Sequence, residues 1–222
     1  MKSAHAALQR ENLSGLVVNH VREMILSGVY QAGHHLLETE IAMELGISRA
    51  PVREGIKELQ KDGIITILPR KGAFVTSFSR DDVKEVFDIR LLVENDILEI
   101  LLKENRLTET HLNALEEMVD GMVKTAEGTG HLQDKTLMLN QQDMAFHRYI
   151  WQLSQSKRRV QILEGLFFQL RMAMMYDTNE TGDLMTTAAD HYAILHHLRQ
   201  GNLEEAKQSL REHIVSYKED TF

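Results

Sequence analysis

Leu45-Gly46-Ile47-Ser48-Arg49-Ala50-Pro51-Val52-Arg53-Glu54 reads as the end of one short helix, a tight turn and the start of a second helix. Gly46 suits the left-handed position that closes a helix. Ser48 has the side chain to cap the next helix, by accepting from its orphan N–H groups. Pro51 then falls in the first turn, where its missing N–H costs little. Arg49 and Arg53 are four apart and share one face at the helix start. A helix opening with two arginines suits a major groove, where guanidiniums reach phosphates or guanine edges.

The flanks agree with this reading. Glu38 to Leu45 supplies the first helix of a helix-turn-helix, with Ile41, Ala42 and Leu45 inward. Val52, Ile56 and Leu59 form the apolar stripe of the second, which Asp62-Gly63 ends. Ile64 to Leu68 then reads as a strand, Pro69-Arg70-Lys71-Gly72 as a turn and Ala73 to Thr76 as a return strand. Such a hairpin is a wing, whose basic tip can lie along a phosphate backbone. An amphipathic helix over 12–27 precedes them, residues 1–11 read as mobile, and His34 and His35 read as solvated loop residues.

A net charge of −8 looks wrong for a nucleic-acid binder until the chain is divided. Residues 1–77 carry 9 basic and 8 acidic side chains, and residues 78–222 carry 16 and 25. Within 47–77 the count is 6 basic against 3 acidic, so the positive field is local to the second helix and the wing. An acidic remainder discourages indiscriminate DNA binding. The 222 residues contain no cysteine, which removes disulfides, thiolate zinc sites and cysteine nucleophiles and fits a reducing cytoplasm. No apolar run approaches the ~20 residues of a membrane span, and the start lacks an apolar signal core.

The N-terminal part resembles the winged helix-turn-helix of the GntR family. The likeness lies in Gly28 to Gly33, in Leu36-x-Glu38-x-x-Ile41-Ala42, in Leu45 to Glu54, in Leu59-x-x-Asp62-Gly63 and in Lys71-Gly72-x-x-Val75, and covers about residues 12–77. Two departures stand out: Ala32 where the family usually has proline, and Gly55-Ile56 where it usually has Ala-Leu. Gly55 should weaken the recognition helix by roughly 1 kcal/mol relative to alanine. The resemblance implies DNA contacts from Ser48, Arg49, Ala50 and Arg53 and from the wing residues Arg70, Lys71 and Gly72.

Beyond Ser79 there is no proline, and the periodicity becomes helical nearly throughout. Helices are expected at about 80–104, 108–126, 136–154, 158–177, 183–200 and 203–219. The fold class is therefore mainly α: a winged helix-turn-helix domain at 1–77 and a bundle of about six helices at 78–222, joined by the linker Ser77-Phe78-Ser79.

Three apolar stripes of this bundle carry ionisable groups. One reads Leu139, Asp143, Phe146, His147, Ile150, Leu153, with Asp143 and His147 four apart. Another reads Ala188, His191, Ile194, Leu195, Leu198, and the last Leu203, Ala206, Leu210, His213, Tyr217. Unpaired buried charges are expensive, so these groups should find each other or an ion. One carboxylate and three neutral imidazoles suit a borderline divalent metal. A plain Asp143–His147 hydrogen bond and ordinary core histidines would fit the same stripes.

The segments Asp143-x-x-x-His147 and His191-x-x-Ile194-x-x-x-Leu198-x-x-Gly201-Asn202, with the later Glu212-His213, resemble the FCD effector domain of the FadR-type branch of GntR regulators, over roughly 80–219. That resemblance implies a divalent metal, zinc or nickel, on Asp143, His147, His191 and His213. It also implies that Arg90, in the R-x-x-x-E pattern ending at Glu94, holds a ligand carboxylate, for which a bidentate guanidinium is suited. An Arg90–Glu94 pair needing no ligand is the alternative. Arg171, beside Met172, Met174 and Met175, is a second effector candidate, although methionines at such spacing also serve simply as core.

The sequence thus reads as a cytoplasmic, non-enzymatic, ligand-responsive transcription regulator, repressor in type. Its expected partners are a palindromic double-stranded operator, a small organic acid and a second copy of itself, since a two-fold dimer reads a palindrome. Two rivals use the same residues. A metal-dependent enzyme would activate water on the Asp/His cluster, but no separate general base is apparent. A non-sensing dimeric DNA binder would simply pair the inward charges.

Overall fold

The computed structural model describes the backbone of residues 2–77, 79–181 and 183–215, and side chains from residue 13 onward except 175–182. Phe78, Tyr217 and the Met175 side chain lie outside the described residues. The chain divides into two units, Met1–Ser79 and Arg80–Phe222.

In the first unit Gly46 closes α2 (Glu38–Glu44) at a φ of +64°, a conformation that a Cβ makes costly. Helix α3 (Arg49–Lys61) begins after Ser48, which has the extended backbone of a cap. Its hydroxyl makes no capping hydrogen bond, so the backbone half of that expectation holds and the side-chain half does not. Ile41, Val52, Ile56 and Leu59 are buried, whereas Leu45 is only half-buried.

Helix α1 (Lys2–Leu26) packs against α3 through Val17 and Val21. It starts about ten residues before the expected position. That stretch is polar but rich in Ala, Leu, Gln, Arg and Glu, all good helix formers. At the α1–α3 contact a Cβ on Gly55 would lie 2.8 Å from the Val17 Cβ and 3.0 Å from the Ser14 carbonyl oxygen. Gly55 is therefore a close-packing position, and its helix-propensity cost has a structural return.

The wing is β2 (Ile65–Leu68) paired antiparallel with β3 (Gly72–Val75), in register Ile65 to Val75 and Leu68 to Gly72. A third strand, β1 (His35–Leu36), pairs with the other edge of β3. It runs through the stretch expected to be loop. His35 stacks on Phe74 at 4.6 Å, and half-buried His34 stacks on Tyr30 at 4.4 Å. Ring stacking, absent from any periodicity argument, gives both histidines a packing partner, although His35 stays exposed as expected.

The second unit is α4 (Arg80–Lys103), α5 (Glu109–Glu127), α6 (Leu132–Leu153), α7 (Lys157–Thr181), α8 (Leu184–Gln200) and α9 (Leu203–Ile214). Thr108 and His111 form a reciprocal capping box at the start of α5, and Asp183 caps α8 by accepting from the Thr186 N–H. Helix α8 packs on α5 and α9, α4 on α7 and α9, and α6 on α5 and α7. The core holds Leu115, Leu139, Phe146, Trp151, Ile194 and Leu210. This packing brings the inner faces of α4, α6, α8 and α9 to one place.

Candidate DNA interface and candidate metal centre

All seven residues expected to touch DNA are exposed. Arg49 and Arg53 project one turn apart from the start of α3, and exposed Lys57 follows one turn later. Lys57 was not singled out from the sequence, although its spacing of four from Arg53 was the available signal. An open groove of about 460 Å³ is lined by Arg49, Arg53 and Lys57 on one side and by His35, Ile67 and Gly72 on the other. Ser48, Ala50, Arg70 and Lys71 lie outside that lining.

The wing turn is closed by the Lys71 N–H donating to the Leu68 carbonyl at 3.1 Å. Arg70 stands there at a φ of +64°, the positive value that the third residue of a type II turn requires. Gly72 has a packing role of its own, because a Cβ would come within 2.4 Å of the His35 imidazole.

Neither arginine is unengaged. Arg53 Nε donates to both carboxylate oxygens of Glu38, at 2.7 and 2.9 Å, and an Arg49 amino group donates to one of them at 3.2 Å. Glu38 is the first residue of α2, where the helix dipole also favours a carboxylate.

The second constellation is buried. Asp143 and His147 come from α6, His191 from α8 and His213 from α9, and one ligand atom from each lies within 4.8 Å of the others. Helix α4 adds Arg90 and Glu94, each 1% exposed. Glu94 accepts from Arg90 Nε through one oxygen at 2.7 Å and from His147 Nδ1 through the other, also at 2.7 Å. The Arg90–Glu94 pair is thus present, yet it leaves Arg90 Nη2 without a hydrogen bond, 3.6 Å from Asp143.

Tautomers follow from these partners. The Glu94 carboxylate can only accept, so His147 carries its proton on Nδ1 and keeps Nε2 bare. His191 Nδ1 lies 3.1 Å from the Thr187 carbonyl and 3.2 Å from that of Ala188, which likewise fixes its proton there. In the neutral ring His191 Nε2 is then a lone pair, aimed at Asp143 Oδ2 from 3.2 Å without a hydrogen bond. His213 Nε2 lies 3.1 Å from the same oxygen and 3.2 Å from His147 Nε2. Phe146 closes the site edge-on against the rings of His147 and His191.

Burial pushes the imidazole of His213 down, with His191 and His147 adding to the effect against Asp143, to about 3. Burial and then Arg90 lower His147, against Glu94 and Asp143. Burial alone would raise both carboxyls. His147 and Arg90 reverse this at Glu94, holding it at about 2, and His147, with His213, holds Asp143 well below its usual range. Ionised carboxylates facing neutral imidazoles are the protonation states a divalent metal requires. Two carboxylates against one guanidinium also leave a buried negative charge, and both Asp143 oxygens lack a hydrogen bond. The donor set fits a borderline metal such as zinc or nickel.

Arg171 stands on α7, half-buried, with its carbonyl accepting from Asn140 Nδ2 at 3.2 Å. Its Nε and the Asn140 Oδ1 make no hydrogen bond, and burial lowers the guanidinium pKa. Asn140 lies one turn before Asp143 on α6. Glu94 is the residue whose role the sequence reading missed: its signal was an acid within the stripe Val83, Phe87, Arg90, Glu94, Ile97, Leu101, all of them buried.

Comparison with known proteins matches residues 13–75 to bacterial regulatory proteins of the gntR family and residues 85–216 to the FCD domain. The HTH-type transcriptional regulator YdhC of Bacillus subtilis is 29% identical over 197 residues, 88% of this chain and 84% of that protein. The gluconate operon transcriptional repressor of the same organism is 40% identical over 87 residues, 39% of this chain and 35% of its own. Among solved structures, Escherichia coli McbR/YncC superposes with a TM-score of 0.72 at 19% identity, covering 92% of this chain and 94% of that one. A GntR transcriptional regulator from Rhodococcus sp. RHA1 gives 0.71 at 20% identity, covering 91% and 94%.

Proposed function

The chain belongs to the GntR family and carries an FCD domain behind its DNA-binding unit, and from that premise we propose that it is a cytoplasmic, homodimeric repressor. In this reading its second unit senses a small organic acid at a divalent metal held by Asp143, His147, His191 and His213. That it is a DNA-binding transcriptional regulator follows from the family. The metal and the acid rest on one observation above the others: His191 Nε2 and Asp143 Oδ2, both left as acceptors, face each other at 3.2 Å between fully buried side chains. Only a proton or a cation between them removes that repulsion.

A bound metal would supply Lewis-acid positions for carboxylate oxygens. The chain's residues do the rest. Glu94 fixes the tautomer and orientation of His147, and the Thr187 and Ala188 carbonyls do the same for His191. Arg90 Nη2 and Arg171 Nε offer cationic donors to an acid. One GntR relative, the gluconate operon protein of Bacillus subtilis, is a transcriptional repressor. Ile89 and Leu92, three apart on α4 and exposed, supply an apolar face that a second copy would cover. An acid would act on DNA binding only by preferring one arrangement of the dimer over another.

The test is thermal unfolding of chelator-stripped protein with zinc or nickel, each against a panel of small organic acids. A ligand at a hundredfold excess over its Kd stabilises the folded state by about 2.7 kcal/mol. Zinc or nickel should raise the midpoint in the wild type and not in Asp143→Asn. One class of acid should raise it further only when metal is present. No response to metal would overturn the reading.

A further inference from the structure

Glu38 binds both arginines of α3, although it lies on a different helix and carries the opposite charge to the surface that meets DNA. We infer that Glu38 is a specificity-determining residue: it holds Arg53 by its Nε edge so that the guanidinium reads base acceptors rather than phosphates. The inference rests on the reading that α3 enters the major groove.

The geometry carries it. Both Glu38 oxygens engage Arg53 Nε, and among the described residues the Arg53 amino groups make no hydrogen bond. Those amino groups are the edge that a guanine O6/N7 pair would take. Glu38 is also partly shielded, with its side chain 29% exposed against 57% for Arg53, so the anchor is the better-seated partner. The tether removes rotamer freedom that a long arginine would otherwise lose on binding.

The charge argument points the same way. A phosphate approaching Arg53 or Arg49 also meets the carboxylate beside them, and that repulsion subtracts from the sequence-independent attraction. A guanine edge carries no net charge and presents only partially negative acceptors, so it meets far less of that opposition. One carboxylate between two arginines thus lowers non-specific affinity while leaving base reading intact. Lys57 lines the same groove as Glu38, Arg49 and Arg53 and supplies a further cation for the backbone.

The experiment uses the full-length protein, a duplex enriched by the wild type from a random-sequence library and a scrambled duplex of equal length. Affinity for each is measured by fluorescence anisotropy over a series of salt concentrations. For Glu38→Gln, the ratio of scrambled to selected Kd should fall about tenfold, the size of one bidentate base contact. The scrambled duplex should be bound at least as tightly as by the wild type, with a steeper salt dependence. An equal loss on both duplexes would make Glu38 a plain tether between two helices and overturn the inference. So would an unchanged ratio. Arg53→Ala is the companion variant. If it loses selectivity while Glu38→Gln keeps it, the groove reading stands and the role of Glu38 falls. If Arg53→Ala binds the selected duplex like the wild type, the groove reading fails first.

Discussion

Glu38 with its two arginines and Glu94 with Arg90 and His147 are built from the same side-chain types, yet they stand at opposite extremes of solvation. In the winged unit the arginines are more than half exposed, and the carboxylate between them is screened by water. Exposed pairs of this kind are worth about 0–1 kcal/mol to stability. In the helical unit Arg90, Glu94, Asp143 and His147 are essentially inaccessible, and each depends on the others for compensation. An exposed charge is free to change partners, from carboxylate to DNA. A buried one has no water to fall back on, and its site accepts only ligands that complete it.

The largest effect should come from removing a buried partner. Glu94→Ala strands the Arg90 guanidinium and should cost about 3–5 kcal/mol in urea unfolding of the stripped protein. A loss below ~1 kcal/mol would mean that water reaches the cluster and the contrast is false.

Acid probes the same contrast without mutation. His213 is depressed from 6.5 to about 3, so the unfolded chain binds a proton first as pH falls. The stabilisation is complete above pH ~6.5 and disappears as pH falls towards about 3. Glu94, depressed from 4.5 to about 2, adds a loss of the same sign below pH ~4.5. Stability of the stripped protein that stayed flat from pH 7 to 5 would contradict neutral buried imidazoles.

Arg53→Ala should do the reverse of Glu94→Ala. Stability should move by less than ~1 kcal/mol, whereas affinity for the selected duplex should fall by about 1–3 kcal/mol. A variant whose unfolding midpoint dropped along with its affinity would place Arg53 among the structural residues.

The smallest effect is a contest of signs at Gly55. Helix propensity favours Gly55→Ala by about 1 kcal/mol, but the new Cβ would overlap Val17, and overpacking costs about 1–3 kcal/mol. A net loss is expected in urea unfolding. A net gain would show that α1 and α3 separate easily.

What was legible in the sequence follows the range of the interactions. The helix-turn-helix could be read because Gly46, Pro51 and the apolar positions of α3 act within a few residues of each other. The inward placement of Asp143, His147, His191 and His213 could be read because each interrupts an apolar stripe on its own helix. Their convergence could be expected, because three helices each turn ionisable groups inward, but the contacts that realise it depend on α6, α8 and α9 meeting across nearly the whole second unit. Glu94 was paired with Arg90 four residues away, and its second oxygen, bound to His147, serves a partner 53 residues along the chain. Half-buried Glu38 and exposed Arg53 are 15 apart, a separation with no periodic signature. β1 is two residues long and carries no alternation to detect.

Gly55 also sets a rule for how this unit can vary. The atom a larger residue would add meets the Val17 Cβ and the Ser14 backbone, not the tip of a movable chain. Trimming residue 17 to alanine removes only the Cγ1 contact at 2.8 Å and leaves the Cβ and the Ser14 carbonyl in place, so backbone displacement is still needed to make room at position 55. A homologue with alanine at the position of Gly55 must stand its first helix further from its third. Its recognition helix would then rest on a differently spaced support, so the seat of that helix is inherited through an absent methyl group as much as through any residue that touches DNA.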